Sequence, residues 1–389
     1  MGDRGVSFSK LIPSFSFALM CVGLPLAGIL GGSNAAIAVV LGIGLTASGR
    51  FGGQFKGRVA PVYSVLFFFL IAYSAIVLYA LPTREGFARL FQLICCPVAM
   101  AVGSCLCEDT GALRLAKRIG AVAVSICFLS WIIEDCPMED FSCFWGNPNT
   151  FALVALCWLV LFLAVPIGSK LDYVFSGICC LFVLISSSRS SLIAAIVLVG
   201  VFLLLNRKKT LSASTVVAMF LGAVILSLVF VLMYTFLYST PFGNWLNDLS
   251  LEVFGKNFYS GRQVVWLETL RAIEDAPLLG HGLQAMPSDF CDTNLSAHNW
   301  YLEVTLQSGL TGLSLMVLVL CAVLFAVADN VNNPNRALIV AFIFAMAFHE
   351  MFEVSLTQNA FMYGVVAWVL FGMGTASYDT NYDGDMLHE

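Results

Sequence analysis

The sequence predicts an all-α polytopic membrane protein with about twelve transmembrane helices. Three observations lead to this prediction: an apolar composition, a series of helix-length apolar runs, and one long polar passage between two of these runs. Hydrophobic residues make up 59% of the 389-residue chain and charged residues 11%, and the mean hydropathy is +0.89. Soluble domains carry roughly 25% charged residues, so the composition excludes a soluble globular protein.

The apolar runs predict the individual helices. We expect them at residues 11–30, 35–49, 59–81, 87–107, 119–133, 151–168, 172–187, 190–205, 215–238, 300–328, 337–356 and 359–375. The first run is longer than the core of a signal peptide and lacks a small-residue cleavage site, so we interpret it as an uncleaved span. The chain is therefore predicted to form a single transmembrane domain over residues 1–389, with no soluble domain attached.

The distribution of Lys and Arg predicts the orientation in the membrane. When the N-terminus is placed in the cytoplasm and each helix changes the side, most of the 19 Lys and Arg residues fall on the cytoplasmic side, as the positive-inside rule requires. Both termini then lie in the cytoplasm. The long loop at residues 239–299, between the ninth and tenth helices, lies on the outer face and is expected to bear short helices. Arg189, in a short outer loop, breaks the rule.

An outward-facing site limits the possible chemistry. ATP and nucleotide sugars are cytoplasmic, so an enzyme on the outer face must use a substrate that arrives already activated, such as a lipid pyrophosphate. The sequence contains no Walker loop, no Rossmann glycine pattern after a strand and no His-x-x-x-His pair. Asp289 and Asp292 are two carboxylates in a loop without a third ligand, so we predict neither a metal site nor a cofactor.

The polar passage from Gly261 to Gly312 contains the first candidate for an anion-binding residue. Ser260 followed by Gln263 is a capping-box pattern, which predicts a helix with Arg262 in its first turn. A cation at this position opposes the helix dipole, but it becomes favourable when an anion binds to the same backbone amides. Arg271 on the same helix has acidic residues at helical spacing, and we interpret it as a solvated salt-bridge residue.

Arg189 is the second candidate. It lies in a run of serines between two apolar runs, where Ser188 would cap the following helix and leave the arginine above free backbone amides. An ionisable side chain at membrane depth is costly and is therefore a functional candidate. The alternative is an interfacial arginine that extends to phospholipid headgroups.

His298 is the candidate general base, at the beginning of the tenth helix. A histidine beside two aromatic residues at a membrane boundary is often only part of an aromatic belt. If Arg189 and Arg262 lie nearby, however, their charge favours a neutral imidazole, which can accept a proton. Gly309 and Gly312 on the same helix allow close backbone packing, which would fix the helix against its neighbours.

Three other features leave alternatives open. His349, Glu350 and Glu353 lie near the outer end of the eleventh predicted helix, with His349 and Glu353 four residues apart on one face. They either form a network that supports the site or a self-satisfied buried pair. Cys136 and Cys143 share one loop and could form a disulfide, but free thiols fit the sequence equally well. A further histidine, His281, belongs to a predicted turn and is expected to do no chemistry.

One motif in the polar passage resembles that of a known family. His298-Asn299, nine further residues and Gly309-Leu-Thr-Gly312 are similar to the H-N-x9-G-x-x-G motif of the O-antigen ligase family, which shares a superfamily with O-antigen polymerases. Other segments are similar to further family landmarks in the same order: Gly146-Asn-Pro-Asn149, Ser188-Arg189-Ser190, Arg262 with Trp266, and the turn Pro277-Leu-Leu-Gly280-x-Gly282. The resemblance covers the second half of the chain well and the first half only by hydropathy.

The resemblance implies a GT-C-like, metal-independent inverting glycosyltransferase of the bacterial inner membrane, with its active site facing the periplasm. Such a ligase transfers a glycan from undecaprenyl pyrophosphate to the lipid A-core oligosaccharide in lipopolysaccharide biosynthesis. Its partners would be these two substrates and membrane lipids, with no nucleic acid. The predicted catalytic residues are His298, Arg262 and Arg189, and the predicted substrate-binding residues are Arg189, Arg262, Asn299, Trp266, His349 and Glu353.

Two alternative functions remain open from the sequence. A polymerase of the same superfamily joins two lipid-linked repeats and would use the same pyrophosphate-binding arginines. The modest length, the short C-terminus and the His-Asn motif favour the ligase. A transporter of an anionic lipid is the alternative from another class, but transporters commonly show internal repeats and interrupted helices near the middle of the membrane, and the sequence has no convincing repeat.

Overall fold

The computed structural model describes residues 60–376, apart from residues 109, 166–169, 208–210, 256, 260, 293–295 and 360. The helices predicted at residues 11–30 and 35–49 lie outside the described residues. All regular secondary structure in the described part of the chain is helical, which confirms the predicted all-α class.

The described residues form twelve α-helices and two short 3-10 turns, at Cys143–Trp145 and Pro287–Asp289. In chain order the helices are α1 (Ala60–Ala80), α2 (Arg84–Glu108), α3 (Thr110–Ile133), α4 (Pro148–Leu163), α5 (Lys170–Ile185), α6 (Arg189–Arg207), α7 (Ala213–Leu237), α8 (Pro241–Phe254), α9 (Arg262–Asp275), α10 (Trp300–Asp329), α11 (Arg336–His349) and α12 (Phe361–Thr375). Helices α8 and α9 lie within the segment 239–299, and the other ten correspond to the apolar runs from residue 59 onward.

Two helix ends differ clearly from the sequence prediction. Helix α3 begins at Thr110 rather than at residue 119, because the charge of Lys117 is accommodated inside the protein by Asp172, 3.1 Å away. Helix α11 ends at His349 rather than at residue 356. The chain leaves the helix there because the Glu350 carboxylate accepts hydrogen bonds from the backbone amides of Ser355 and Leu356, at 2.8 and 3.1 Å, and so turns the segment back.

The prediction of twelve spans is not established by the described residues. Six helices are long and apolar enough to cross a membrane: α1, α2, α3, α6, α7 and α10. Helices α4 and α11 have only 16 and 14 residues. At 1.5 Å per residue they are roughly 24 and 21 Å long, less than the hydrocarbon thickness of about 30 Å.

The buried core of the bundle contains α4, α11, α12 and much of α10. Every side chain of α4 from Phe151 to Phe162 is buried, and all of them are apolar. Helix α12 packs along α2, α11 packs along α6, and α10 contacts both α1 and α7. By contrast, α1, α6 and α7 expose large apolar side chains, among them Phe68, Ile76, Ile196, Ile225 and Leu226. An apolar exterior around an apolar core is the arrangement expected of a membrane protein.

Candidate active site

The first turn of α9 places Arg262 at the site. The residue before it, Gly261, is the N-cap and adopts a left-handed conformation with φ of 80°, and the Arg262 amide donates to the Tyr259 carbonyl at 3.1 Å. The predicted capping box was wrong, because the cap position is one residue later than expected and glycine has no side chain to cap the helix. Ser260 itself lies outside the described residues. The predicted position of Arg262 in the first turn is confirmed.

Aromatic packing holds the start of α9 against its neighbours. The Trp266 indole is fully buried, lies 4.8 Å from the Tyr234 ring of α7, and donates to the Ala297 carbonyl at 2.6 Å. The Tyr234 hydroxyl in turn donates to the Tyr259 carbonyl at 2.6 Å. Trp266 therefore links the start of α9, which carries Arg262, to the segment that carries His298. Because the Trp266 side chain is fully buried, it cannot contact a substrate.

His298 lies just before α10 and not within it. Its φ is 45°, a left-handed value that is uncommon for a residue with a side chain. The next residue, Asn299, is fully buried and caps α10 by accepting from the Leu302 amide at 3.0 Å, while its amide group donates to the Met351 carbonyl at 3.0 Å. Both ends of the Asn299 side chain are thus used within the protein, and they fix the turn that presents the imidazole.

Glu353 joins the two predicted catalytic side chains. One carboxylate oxygen lies 3.4 Å from Nδ1 of His298, and the other lies 3.8 Å from a terminal nitrogen of Arg262. The second oxygen also accepts a hydrogen bond from the Asn149 side chain at 3.0 Å. Exposed fractions of 35% for the His298 side chain and 24% for the Arg262 side chain leave both accessible from outside the protein. Phe352 packs beneath the Arg262 guanidinium, 5.9 Å from it.

The electrostatic surroundings keep Glu353 ionised. Burial raises the pKa of this carboxyl group, but the hydrogen bond with His298 and the charges of His349, His298 and Arg262 outweigh burial and lower the pKa below the ordinary value of 4.5. An ionised Glu353 can stabilise the positive charge that forms on the imidazole ring when the ring accepts a proton during a reaction.

Arg189 begins α6, and its side chain is exposed. The preceding Ser188 accepts a hydrogen bond from the Ser191 amide at 3.4 Å, which confirms the predicted cap. Arg189 and Arg262 both act electrostatically on the Tyr234 hydroxyl, so the two arginines lie in the neighbourhood of the same aromatic residue. The structure therefore brings Arg189 to the same end of the bundle as Arg262.

His349 is completely buried at the end of α11. Its Nδ1 atom lies 3.3 Å from the carboxylate of Glu350, which is equally buried. His349 also acts electrostatically on Glu353. Both alternatives left open by the sequence are therefore partly present. His349 forms a buried pair with Glu350 and also acts electrostatically on Glu353 in the site. It has no surface from which to contact a substrate.

A break in α10 anchors the turn between α9 and the site. Gly309 has φ of 65° and ψ of −175°, which are not helical values. The freed backbone groups are taken up by the preceding turn, since His281 and Gly282 donate to the carbonyls of Leu306 and Gln307 at 2.8 and 3.0 Å. The predicted close packing at Gly309 is thus present. The space beside Gly312 is taken by the side chain of Ser308.

The remaining predicted residues have ordinary structural roles. Arg271 forms an exposed ion pair with Glu268 at 2.6 Å, as expected. His281 contacts the Ala272 carbonyl at 2.7 Å within a turn. Asp289 accepts from the Met286 amide, and the described residues contain no group of His, Cys, Asp and Glu side chains that could hold a metal ion. Cys136 and Cys143 are both free thiols.

Sequence reasoning missed two residues of the site. Asn149 was noted only as part of a landmark before the sixth run, although its side chain contacts Glu353. Tyr234 lies in the middle of an apolar run and gave no signal beyond its hydroxyl. The pattern Asn147-Pro-Asn149 did contain a usable signal, because Asn147 caps α4 and only one of the two asparagines is needed for that task.

Comparison with known proteins shows a likeness to one family. A search of curated proteins finds no match. A family model described as O-antigen ligase matches residues 174–317, a segment that contains Arg189, Arg262 and His298 but neither Asn149 nor Glu353. The match supports membership of the O-antigen ligase and polymerase superfamily, whose members are glycosyltransferase-like and act on lipid-linked glycans. Residues 174–317 are therefore similar to the O-antigen ligase family.

Proposed function

We propose that the protein is an O-antigen ligase that transfers a glycan from undecaprenyl pyrophosphate to a hydroxyl group of the lipid A-core oligosaccharide. The observation that carries the proposal is the meeting of Arg262 and His298 at the two oxygens of Glu353. This arrangement supplies an anion-binding cation and a proton acceptor within one accessible site. The proposed mechanism is metal-independent and inverting.

In the proposed reaction, Arg262 and Arg189 hold the pyrophosphate of the donor. Arginine offers several N–H donors in a planar fork that matches phosphate oxygens. One terminal nitrogen of Arg262 lies 3.8 Å from Glu353. This distance is too long for a hydrogen bond, so a phosphate can compete with the carboxylate for the guanidinium. As the bond between the anomeric carbon and the phosphate oxygen breaks, the two cations stabilise the charge that develops on the leaving pyrophosphate.

His298 acts as the general base in this proposal. The acceptor hydroxyl oxygen forms the new bond to the anomeric carbon, its proton passes to Nε2 of His298, and the lipid pyrophosphate leaves with the electron pair of the broken bond. Glu353 accepts from Nδ1, which selects the tautomer with a free Nε2. Because the base and the leaving group lie on opposite faces of the sugar, the anomeric centre is inverted.

The other predicted residues have supporting roles in this mechanism. Asn299 fixes the turn that carries His298, Trp266 fixes the start of α9 against that turn, and His349 acts electrostatically on Glu353. All three are buried, so we propose that they position the site and do not bind substrate. Glu353 likewise orients the His298 ring.

The proposed location is the bacterial inner membrane, with both termini in the cytoplasm and the segment 239–299 in the periplasm. The Lys and Arg distribution supports this orientation. A single GT-C-like transmembrane domain would then present Arg189, Arg262 and His298 to the periplasmic face. The donor would approach from the membrane and the acceptor from the same outer leaflet.

A polymerase of the same superfamily is the second candidate function, because an arginine pair that holds pyrophosphate serves both reactions. The glycans that accumulate in cells lacking the protein distinguish a ligase from a polymerase. Loss of a ligase leaves full-length glycan on its carrier lipid, whereas loss of a polymerase leaves single repeats attached to the core. A transporter of lipid-linked glycan would move the donor across the membrane without transferring the glycan.

The direct test is transfer in vitro by the purified protein in lipid nanodiscs, with a lipid-linked glycan donor and a lipopolysaccharide acceptor that lacks O-antigen. We expect Arg262→Ala and His298→Ala each to reduce transfer by at least about 100-fold. Arg271→Ala is the matched control, because Arg271 is on the same helix as Arg262 but forms an exposed ion pair, and it should transfer at the wild-type rate. Normal transfer by both site variants would refute the mechanism, and flipping without transfer would identify a transporter.

A further inference from the structure

Helix α8 carries an exposed apolar face that the reaction does not use. Phe242, Trp245, Leu249 and Val253 are 55%, 54%, 39% and 60% exposed. Their spacing of three, four and four residues places them on one side of the helix. The rings of Phe242 and Trp245 are stacked with centroids 5.5 Å apart, so the face begins with a continuous aromatic surface.

The other sides of α8 differ from this face. One side packs on the protein, where Ser250 is buried and the Asn247 side chain accepts from the Phe258 amide at 3.0 Å. The third side is exposed and mostly polar, with Asn244, Asp248 and Glu252 beside one exposed leucine, Leu251. An amphipathic helix that already has a packed side would normally present only polar groups elsewhere. The exposed apolar face of α8 therefore requires its own contact.

The position of α8 in the chain identifies that contact. Helix α7 is a candidate span of 25 residues that ends at Leu237, and α8 begins at Pro241. The last exposed apolar residues of α7, Met233 at 56% and Phe236 at 59%, immediately precede the apolar face of α8. A helix attached to the end of a membrane span lies at the membrane boundary, where Trp and Phe are favoured.

We propose that the apolar face of α8 docks into the interfacial region of the lipid bilayer. The helix of 14 residues would lie in the membrane surface over roughly 21 Å. Asp248 and Glu252 would point toward water. The lipid surface is continuous with the apolar exterior of α7, which favours lipid over a second copy of the chain or a soluble partner as the occupant.

Docking of α8 would also connect the membrane surface to Arg262. The Asn247 side chain of α8 accepts a hydrogen bond from the Phe258 amide. The carbonyl of the next residue, Tyr259, accepts hydrogen bonds from the Tyr234 hydroxyl and from the Arg262 amide, the latter at 3.1 Å. A helix fixed at the bilayer surface thus sets the height of the first turn of α9. The docking itself does not depend on the proposed reaction, because it follows from the exposed face and from the end of α7.

Fluorescence quenching tests the proposal on the intact protein. The contribution of Trp245 is obtained as the difference between the wild type and Trp245→Phe, in nanodiscs of phosphatidylethanolamine and phosphatidylglycerol. We expect lipids brominated near the headgroup end of the acyl chain to quench this contribution at least about twofold, and lipids brominated near the chain terminus to quench it less. Trp158→Phe is the control, because Trp158 is 1% exposed in the core and its contribution should not be quenched.

Two results would overturn the proposal. Quenching of the Trp245 contribution by aqueous iodide but not by brominated lipid would mean that the face is open to water and available to a soluble partner. Protection from both quenchers, together with two copies per nanodisc by mass photometry, would mean that a second copy covers it. Both measurements use conservative variants and need no transfer activity, so their failure is distinguishable from failure of the proposed function.

Discussion

The Nδ1 atom of His298 lies 3.4 Å from a carboxylate oxygen of Glu353, although the two residues are 55 positions apart. Neither residue lies within a helix: His298 is in the turn before α10 and Glu353 is in the loop after α11. The two segments are joined directly, because the Trp300 amide donates to the Glu350 carbonyl at 2.9 Å and Asn299 donates to the Met351 carbonyl. The imidazole is thus oriented by backbone contacts as well as by the carboxylate.

Acidification should weaken the contribution of Glu353 to stability. The pKa of this carboxyl group is lower in the folded protein than its ordinary value of 4.5, so the ionised form stabilises the fold above that value and the stabilisation is lost as the pH falls through the folded-state pKa. We expect wild type to have a higher melting temperature than Glu353→Gln, by a constant margin between about pH 6 and pH 8 that shrinks below about pH 4.5. Thermal unfolding in detergent across this pH range measures the margin.

Glu268→Gln is the control for this experiment, because Glu268 forms an exposed ion pair with Arg271. Exposed pairs contribute about 0–1 kcal/mol, so this variant should differ little from wild type at any pH. If the margin between wild type and Glu353→Gln widened on acidification, the carboxyl group would have to be protonated in the folded protein, contrary to the contacts it makes.

Asn149 should matter for transfer through its hydrogen bond to Glu353. Removing the amide in Asn149→Ala leaves one carboxylate oxygen without a donor, and we expect transfer to fall about tenfold. Asn149→Asp should reduce transfer further, because it would place a second carboxylate about 3 Å from the first, where like charges cannot both ionise freely. Initial transfer rates measure the order of the three proteins.

The neighbouring asparagine provides the matched control for these variants. Asn147 caps α4 by accepting from the amides of Asn149 and Thr150 and makes no contact with Glu353 among the described residues. Asn147→Ala should lower stability by about 1 kcal/mol while transfer per folded molecule stays at the wild-type level. Wild-type rates for both Asn149→Ala and Asn149→Asp would remove Asn149 from the site.

Much of the helical framework could be predicted from the sequence, because long apolar runs have few alternatives to a helix in a membrane. Arg262 and His298 could also be predicted, since a cation in a first turn and a histidine before a long span are unusual enough to be noticed locally. The number of spans could not be predicted in the same way. Apolar runs such as that of α4 give short, wholly buried helices, and composition alone does not separate these from spans.

The contacts that assemble the site were beyond sequence reasoning for a physical reason. Asn149, His298 and Glu353 meet only because the first turn of α4, the turn before α10 and the loop after α11 come together at one end of the bundle. Glu353 was placed on a helix, whereas Glu350 ends that helix by accepting the amides of Ser355 and Leu356. A buried carboxylate that turns the backbone in this way leaves no periodic pattern in the sequence.

A buried ion pair at the other end of α4 should be costly to break. The Lys117 ammonium donates to Asp172 at 3.1 Å and to the carbonyls of Phe162 and Ala164 at 3.0 and 2.5 Å. Lys117→Met leaves a buried carboxylate without its cation, and we expect a loss of about 3–5 kcal/mol in unfolding free energy. Adding Asp172→Asn should recover part of that loss. If the double variant were less stable than Lys117→Met, the charge of Asp172 could not be the source of the cost.

The break in α10 predicts that Gly309 tolerates no side chain. Its φ of 65° costs an L-residue about 1–2 kcal/mol, and a Cβ atom there would overlap the Leu278 carbonyl, which adds about 1–3 kcal/mol of overpacking. We therefore expect Gly309→Ala to lower the unfolding free energy by about 2–5 kcal/mol. Gly222→Ala on α7 is the control: nothing lies within 4 Å of its added methyl group, and alanine favours the helix by about 0.5–1 kcal/mol. Melting temperatures in detergent compare the two, and equal stability of both variants would mean that α10 is continuous through Gly309.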